Sequence, residues 1–488
     1  MSEKKTVKNT VTRKKTVIKT NPRYGYRCLG KGIYVSNDTR VTHLNSNDLV
    51  IGATGSSKTG SIVYTQLKML DDSSLIVADS KNMLHRMFRD ELEEKGYKVR
   101  VLDFVDPKQS CLYNPLDYVR QNENGLYNEI DIMKISRSLI PDKLCADDPF
   151  WAISGRAVLE FFISYTLSAL PKEDHNMYTV CRLYRAYNEE MGEAAFIDWI
   201  ERHPRSFTAN RFSQIKAMKR ADKMWASILG FVNTALYPFD IEILHHIFDP
   251  DMKENDWEDD FESFDLYMND DYYEEEDFIT EDEGYLNVEE HPTASPSDGE
   301  EQTEVVGETR DTLSLETLGK EKTVVFLNIS DTDHSLDSLV NLFYTQALQT
   351  LVTEADKNET GQLEVPCRIM FDDFAAGTVI PDFDKMISVI RSRDIWVSIN
   401  IQSLSQLESL YSPAQSLTIQ NNCDHIVYMG SNDLSSAEYI GTRAGKVPEV
   451  ILAMDRTKEY FIEGGKKAVL VDKVPPYSYS NDNVNREI

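Results

Sequence analysis

The chain has 488 residues, 41% of them hydrophobic and 10% aromatic, and a formal net charge of −29 at pH 7. That is enough apolar material for two or three packed domains and excludes a wholly disordered chain. Six cysteines without a C-x-x-C pair exclude a disulfide framework and a zinc-ligand pattern, and suit a reducing cytoplasm. The longest apolar stretch, "AVLEFFISYTLSAL", carries Glu160 and is too short to span a bilayer. The N-terminus, "MSEKKTVKNTVTRKKTVIKT", has no apolar centre and is no secretory signal, so the chain reads as soluble and cytosolic.

The charge is unevenly spread. The first fifty residues carry about +8 and the stretch Asp249–Asp311 about −24. Residues 1–30, basic and Thr-rich, read as a flexible arm, with DNA or RNA binding as the alternative. Over 31–116 strands and helices alternate. "NDLVIGATGSSKTGSIVYTQLKML" is an apolar strand, a Gly-rich turn and a helix, and "SSLIVADSK" a strand ending at Asp79. The helix "MLHRMFRDELEEKG" and the strand "YKVRVLDFVD" follow. This alternation predicts a mainly parallel sheet with helices on its faces. Residues 117–247 have helical spacing throughout, an all-α domain inserted into the α/β one. Residues 248–314 are an acidic low-complexity insertion, read as disordered, with an acidic-aromatic docking segment as the other reading. The α/β pattern returns over 315–475 with "KTVVFLNIS", "CRIMFDDFA", "IWVSINIQS" and "DHIVYMGS" as strands, and 476–488 is a C-terminal tail.

Three places carry chemistry. "LVIGATGSSKTGSIV" has Gly52, Lys58 and Thr59 at the offsets of G-x-x-x-x-G-K-[ST], with Ser57 where the second glycine belongs. In such a loop the backbone of Gly52, Ala53, Thr54, Gly55, Ser56, Ser57, Lys58 and Thr59 wraps phosphates at a helix start. The lysine reaches the β- and γ-phosphates, and the threonine hydroxyl holds Mg²⁺. In "IMFDDFA", Asp372 stands where a strand-end carboxylate holds the metal shell, and Asp373 where a second one polarises the attacking water. Gln402, at the end of the next strand, fits a γ-phosphate sensor or an ordinary strand-terminal polar residue.

"DDFAAGTVIPDFDKMISVIRSRDIWVSINIQSLSQLESLY" resembles the type IV secretion coupling proteins, the membrane-associated TraG/TraD-like ATPases of bacterial conjugation. The likeness extends to "ADSKNMLHRMFRDELEEKGYKVRVLDFVDPKQSCLYNPLDYV", "DDPFW" and "SLVNLFYTQALQTL", and covers about residues 30–245 and 315–475. It implies a RecA-like P-loop NTPase core with an inserted all-α domain, ATP and Mg²⁺ as cofactors, and a homo-hexamer on DNA. By the same resemblance Lys58 and Thr59 bind phosphate and magnesium, Asp372 joins the metal shell, and Asp373 stands at the catalytic glutamate position. Arg391, rather than Arg393, reaches a neighbouring subunit's nucleotide, and Gln402 senses the γ-phosphate. The implied partners are single-stranded DNA with its relaxase and the secretion channel.

The sequence departs from the family in several places. Ser57 adds a Cβ where backbone approaches phosphate, which glycine alone avoids without cost. Asp373 is a methylene shorter than glutamate. Asn82 and Ser80 blur the family's Asp-Pro-Lys-Gly turn, and its N-terminal transmembrane pair is missing. Membrane contact is therefore expected only through partners or the basic arm. Two readings follow: a conjugative ATPase, or a weakly hydrolysing relative serving as a nucleotide-binding adaptor. A DNA translocase outside conjugation shares the same fold.

Overall fold

The structure, a computed structural model, describes residues 23–142, 148–189, 193–248, 311–330, 332–372, 374 and 379–479. Residues 1–22 of the basic arm, 249–310 of the acidic insertion and 480–488 of the tail lie outside the described residues, as does Asp373. The described chain forms two compact units, one from Met1–Val101 with Ser314–Ile488, the other from Leu102–Leu313.

In the first unit, β1 (Tyr26–Cys28) and β2 (Tyr34–Ser36) form an antiparallel pair. The large sheet is built from β3 (Asp48–Ile51), β4 (Ser74–Ala78), β5 (Lys98–Asp103), β6 (Thr323–Asn328), β7 (Cys367–Phe371), β8 (Ile395–Ile401), β9 (His425–Tyr428), β10 (Lys458–Glu463) and β11 (Val469–Asp472). Their order across the sheet is β11-β10-β9-β3-β8-β7-β4-β6-β5. β3 pairs in parallel with β8 and β9, β8 with β7, and β4 with β7 and β6, whereas β10 runs antiparallel to both β9 and β11. Strands β3, β4, β6, β7, β8 and β9 are buried along their whole length. This is why they read as near-continuous apolar runs rather than as alternating ones. Parallel neighbours need crossover connections. Helix Leu84–Glu94 lies on the connection that leaves β4 and passes β6 to reach β5, presenting Leu84, Phe88 and Leu92 at four-residue spacing to a core that includes Tyr64, Val77 and Phe326.

A buried ion cluster ties the foot of β3 to its neighbours. Asp48 is wholly buried and accepts from Arg27 at 2.8 Å, from Arg368 at 3.1 Å and from the Ser398 hydroxyl at 3.0 Å. Burial alone raises a carboxyl pKa, but Arg27 and Arg368 outweigh it and hold Asp48 below its ordinary value.

The second unit is helical as expected, with helices at Glu129–Leu139, Pro149–Ala169, Met177–Glu189, Ala194–Arg202, Phe207–Lys219, Asp222–Leu236 and Glu242–Phe248. Its axis is Pro149–Ala169. Asp148 caps that helix by accepting from the Phe150 N–H, and proline opens its first turn. Phe161 and Phe162 meet Phe196 and Tyr187 edge-on inside the unit. Glu160, a buried carboxylate in this largely apolar helix, is paired with Arg211 at 2.6 Å and accepts from Ser136 at 2.7 Å. No helix of the described residues is long and apolar enough to cross a membrane.

Candidate functional site

The glycine-rich turn leaves the end of β3 clamped on both sides. Gly52 donates its N–H to the carbonyl of Ile401, at the end of β8, at 3.0 Å, and Ala53 donates to Gly430, just past β9, at 2.8 Å. The turn then folds back on itself, with Ser56 N–H on the Ala53 carbonyl at 3.0 Å. A Cβ on Gly52 would lie 2.4 Å from Ser56 Oγ and 3.1 Å from Met429 Cβ, so only glycine fits there. The tip, Thr54 and Gly55, is exposed.

Two residues of the turn are left-handed, Gly55 at φ +77° and Ser57 at φ +72°. The first is free of cost. The second imposes on a serine a conformation that costs L-residues about 1–2 kcal/mol. The missing glycine identified in the sequence is therefore also a point of backbone strain. Helix begins at once, as a wide π-turn over Thr59–Val63 continuing into Tyr64–Met69. Such turns recur at functional sites. The helix start brings its unpaired N–H groups and positive dipole end to the loop.

Lys58 is buried and donates from Nζ to the Gly52 carbonyl at 2.7 Å. Thr59 Oγ1 donates to Asp372 Oδ2 at 2.9 Å. Asp372 directly follows β7, two strands from β3. Its other oxygen accepts from Asn400 Nδ2 on β8 at 3.3 Å, while Asn400 Oδ1 is buried with no hydrogen-bond partner. Gln402 is half-buried and directly follows Ile401, the residue that clamps Gly52. Its N–H donates to Gln406 Oε1 at 3.2 Å. Lys58, Thr59, Asp372 and Gln402 are thus brought to one edge of the sheet.

Arg391 stands at the opposite edge. It lies in the turn Ile390–Arg393 that precedes β8, is exposed, and donates to the His43 carbonyl at 3.2 Å. The length of β8, about 23 Å at 3.3 Å per residue, separates it from the loop of its own chain. Arg393 is paired with Asp356 at 2.8 Å.

Sequence reasoning missed two groups. Asn400 is one. Its signal is present in "SINIQ", where Ser398, Asn400 and Gln402 alternate as polar residues in a strand otherwise apolar, and so share one face. Lys473 is the other. It follows β11 and donates to the Met429 carbonyl at 2.8 Å and the Ser56 carbonyl at 3.2 Å, holding the turn from beneath. No local pattern marks it.

The residues present fit a magnesium-bound polyphosphate. A hydroxyl beside a carboxylate is the hard oxygen donor set that Mg²⁺ takes. The Asn400 acceptor is unused, and the Gly52 cradle closes against any side chain.

Comparison with known proteins places residues 1–247 in similarity to the family described as type IV secretory system conjugative DNA transfer. Residues 366–459 match a family described as the TraM recognition site of TraD and TraG. No curated protein matches the chain. Among solved structures, the bacterial conjugative coupling protein TrwBdeltaN70, in its unbound monoclinic form, is similar with a TM-score of 0.56 at 12% identity, over 88% of this chain and 84% of that one. The plasmid coupling protein TrwB in complex with ADP and Mg²⁺ gives 0.56 at 13%, over 89% and 87%. TrwB in complex with an ATP analogue, ADPNP, gives 0.54 at 12%, over 89% and 87%. At these identities the likeness speaks to the fold, a RecA-like P-loop NTPase core carrying an all-α unit.

Proposed function

Because this chain belongs to the type IV secretory system conjugative DNA transfer family, we propose that it is a coupling-protein ATPase that hydrolyses ATP while passing a relaxase-bound single strand of DNA to a type IV secretion channel. The observation that carries the enzymatic part is the meeting of Lys58, Thr59 and Asp372 at one loop from segments some three hundred residues apart. The Gly52–Thr59 backbone and Lys58 bind the phosphates. Thr59 and Asp372 would hold Mg²⁺, with the unpartnered Asn400 Oδ1 beside Asp372 available to accept a further hydrogen bond. When bound, the metal supplies charge neutralisation at the transferring phosphoryl group. Gln402, at the strand end beside the loop, responds to the γ-phosphate. Asp373, outside the described residues, orients the attacking water.

The exposed Arg391, far from its own loop, completes the site of the next subunit in a homo-hexameric ring. DNA is gripped through backbone charge by ring loops or the basic arm. Similarity of residues 366–459 to a TraM recognition site supports docking of the relaxosome on that part of the chain. The protein works in the bacterial cytoplasm, reaching the inner face of the membrane through partners or the arm. The adaptor reading is disfavoured because the phosphate and metal groups are all present and convergent, Ser57 notwithstanding.

The test is ATP turnover by the full chain, with and without single-stranded DNA, beside Lys58→Ala and Ser57→Gly. DNA-stimulated turnover that Lys58→Ala abolishes supports the ATPase. Turnover seen only in Ser57→Gly returns the adaptor.

A further inference from the structure

A trans peptide unit is flat, and its C=O and N–H point in opposite directions. A group that holds one carbonyl therefore also aims the N–H of the next residue. In the glycine-rich turn this bears on the Ser56–Ser57 peptide. Its carbonyl accepts from Lys473 Nζ at 3.2 Å, and no other donor among the described residues holds it. The N–H of that peptide, on Ser57, donates to nothing among the described residues and points away from Lys473.

Lys473 is itself anchored. Its own N–H donates to the Thr457 carbonyl at 2.9 Å, and four residues on Tyr477 donates its N–H to the Gly60 carbonyl at 3.0 Å. The ammonium also donates to the Met429 carbonyl at 2.8 Å. A cation pinned by its backbone on both sides thus bridges two carbonyls, one in the turn and one at the end of β9.

The conformation it holds is one that Ser57 disfavours. At φ +72° the serine is left-handed, which L-residues with a Cβ avoid. A half-turn of the Ser56–Ser57 peptide would return Ser57 to negative φ, where serine ordinarily sits. The same half-turn would reverse the Ser57 N–H and put a carbonyl oxygen where an anion needs a donor. Glycine takes either sign of φ about equally, so a loop with glycine at this position has no such strain to relieve.

We propose that Lys473 is a positioning residue that stands in for the missing glycine. By holding the Ser56 carbonyl it keeps Ser57 left-handed and its N–H aimed at the phosphates. This rests on the nucleotide reading given above.

The experiment is a double-mutant cycle in Mg²⁺-ADP binding by the full chain, Lys473→Met, Ser57→Gly and the double variant. Lys473→Met removes the ammonium and keeps the length of the side chain. It is expected to weaken ADP about tenfold, because apparent affinity falls with the fraction of chains still in the binding conformation. In the Ser57→Gly chain the same change weakens ADP about twofold or less, since glycine populates both signs of φ. Thermal unfolding without ligand reports that each chain is folded, and Lys473→Gln takes the place of Lys473→Met if that variant is not. Equal loss in both backgrounds means that the lysine acts on phosphate directly or only props the sheet, and overturns the proposal. So does unchanged affinity in Lys473→Met. If the unaltered chain does not bind Mg²⁺-ADP, the nucleotide reading itself fails and this inference with it.

Discussion

Thr59 Oγ1 and Asp372 Oδ2 lie 2.9 Å apart although 313 residues separate them in sequence. A threonine that begins a helix and an aspartate that ends a strand have no local reason to meet. The parallel order β3-β8-β7 brings their strand ends to one edge. If the pair holds magnesium, Asp372→Asn, which keeps the shape and removes the charge, lowers turnover by about 10²-fold or more and raises the Mg²⁺ concentration needed for half-maximal rate. Steady-state assays over a magnesium titration check both effects.

Ser57→Gly releases the left-handed strain at φ +72°, about 1–2 kcal/mol, against a chain-entropy cost for glycine of about 0.5–1 kcal/mol. The expected outcome is a melting temperature raised by about 1–3 °C and tighter ADP binding. Ser57→Ala, which keeps the Cβ, should do neither. Thermal unfolding with and without nucleotide is the measurement, and a Ser57→Gly chain that melts below the unaltered one contradicts the strain.

Glu459 is fully buried and neither carboxylate oxygen has a hydrogen-bond partner. Burial, only partly offset by Lys473, pushes its pKa from 4.5 up to about 8. The folded value lies above the unfolded one, so the stability that this group lends is complete below pH 4.5 and is lost as pH rises through about 8, at up to about 1.4 kcal/mol per pH unit. Denaturant unfolding across that window should show the loss in the unaltered chain and a flatter profile in Glu459→Gln.

Asp48 has the opposite sign. Its folded pKa is depressed by Arg27 and Arg368, so its contribution is present above the ordinary carboxylate value and fades as pH falls through the lowered one. Asp48→Ala leaves two buried guanidinium groups without their shared carboxylate and is expected to cost about 3–5 kcal/mol, read from denaturant midpoints at neutral pH.

Arg391→Ala should leave nucleotide affinity intact and reduce turnover on the order of 10³-fold, since its own loop lies at the far edge of the sheet. Mixing Arg391→Ala chains with Lys58→Ala chains should restore part of the rate, because each supplies what the other lacks at a shared interface. Two inactive populations that stay inactive together remove the intersubunit role.

Much of this site was legible in the sequence because its signals are local. The apolar run before Gly52, the offsets of Lys58 and Thr59, and the acid after "RIMF" each sit within a few residues. The parallel sheet followed from strands buried on both faces. β10 and β11 were not read: "KEYFIE" carries three charges that break the apolar run which marked the others, and β11 has only the short run "VLV" on an exposed edge. Lys473 and Tyr477 lay hidden for another reason. Their partners, Ser56 and Gly60, are some four hundred residues away, and only the packed sheet brings them together. Asn400 was visible as a polar break in β8, but its meaning depends on Asp372 being beside it.

The most direct test of the account is a double-mutant cycle in ATP turnover with Thr59→Ala and Asp372→Asn. Groups that hold one magnesium–triphosphate act as a unit, so the double variant should be about as slow as the slower single variant. Losses that multiply would mean two independent contributions, and the convergence of these segments on one nucleotide would be contradicted.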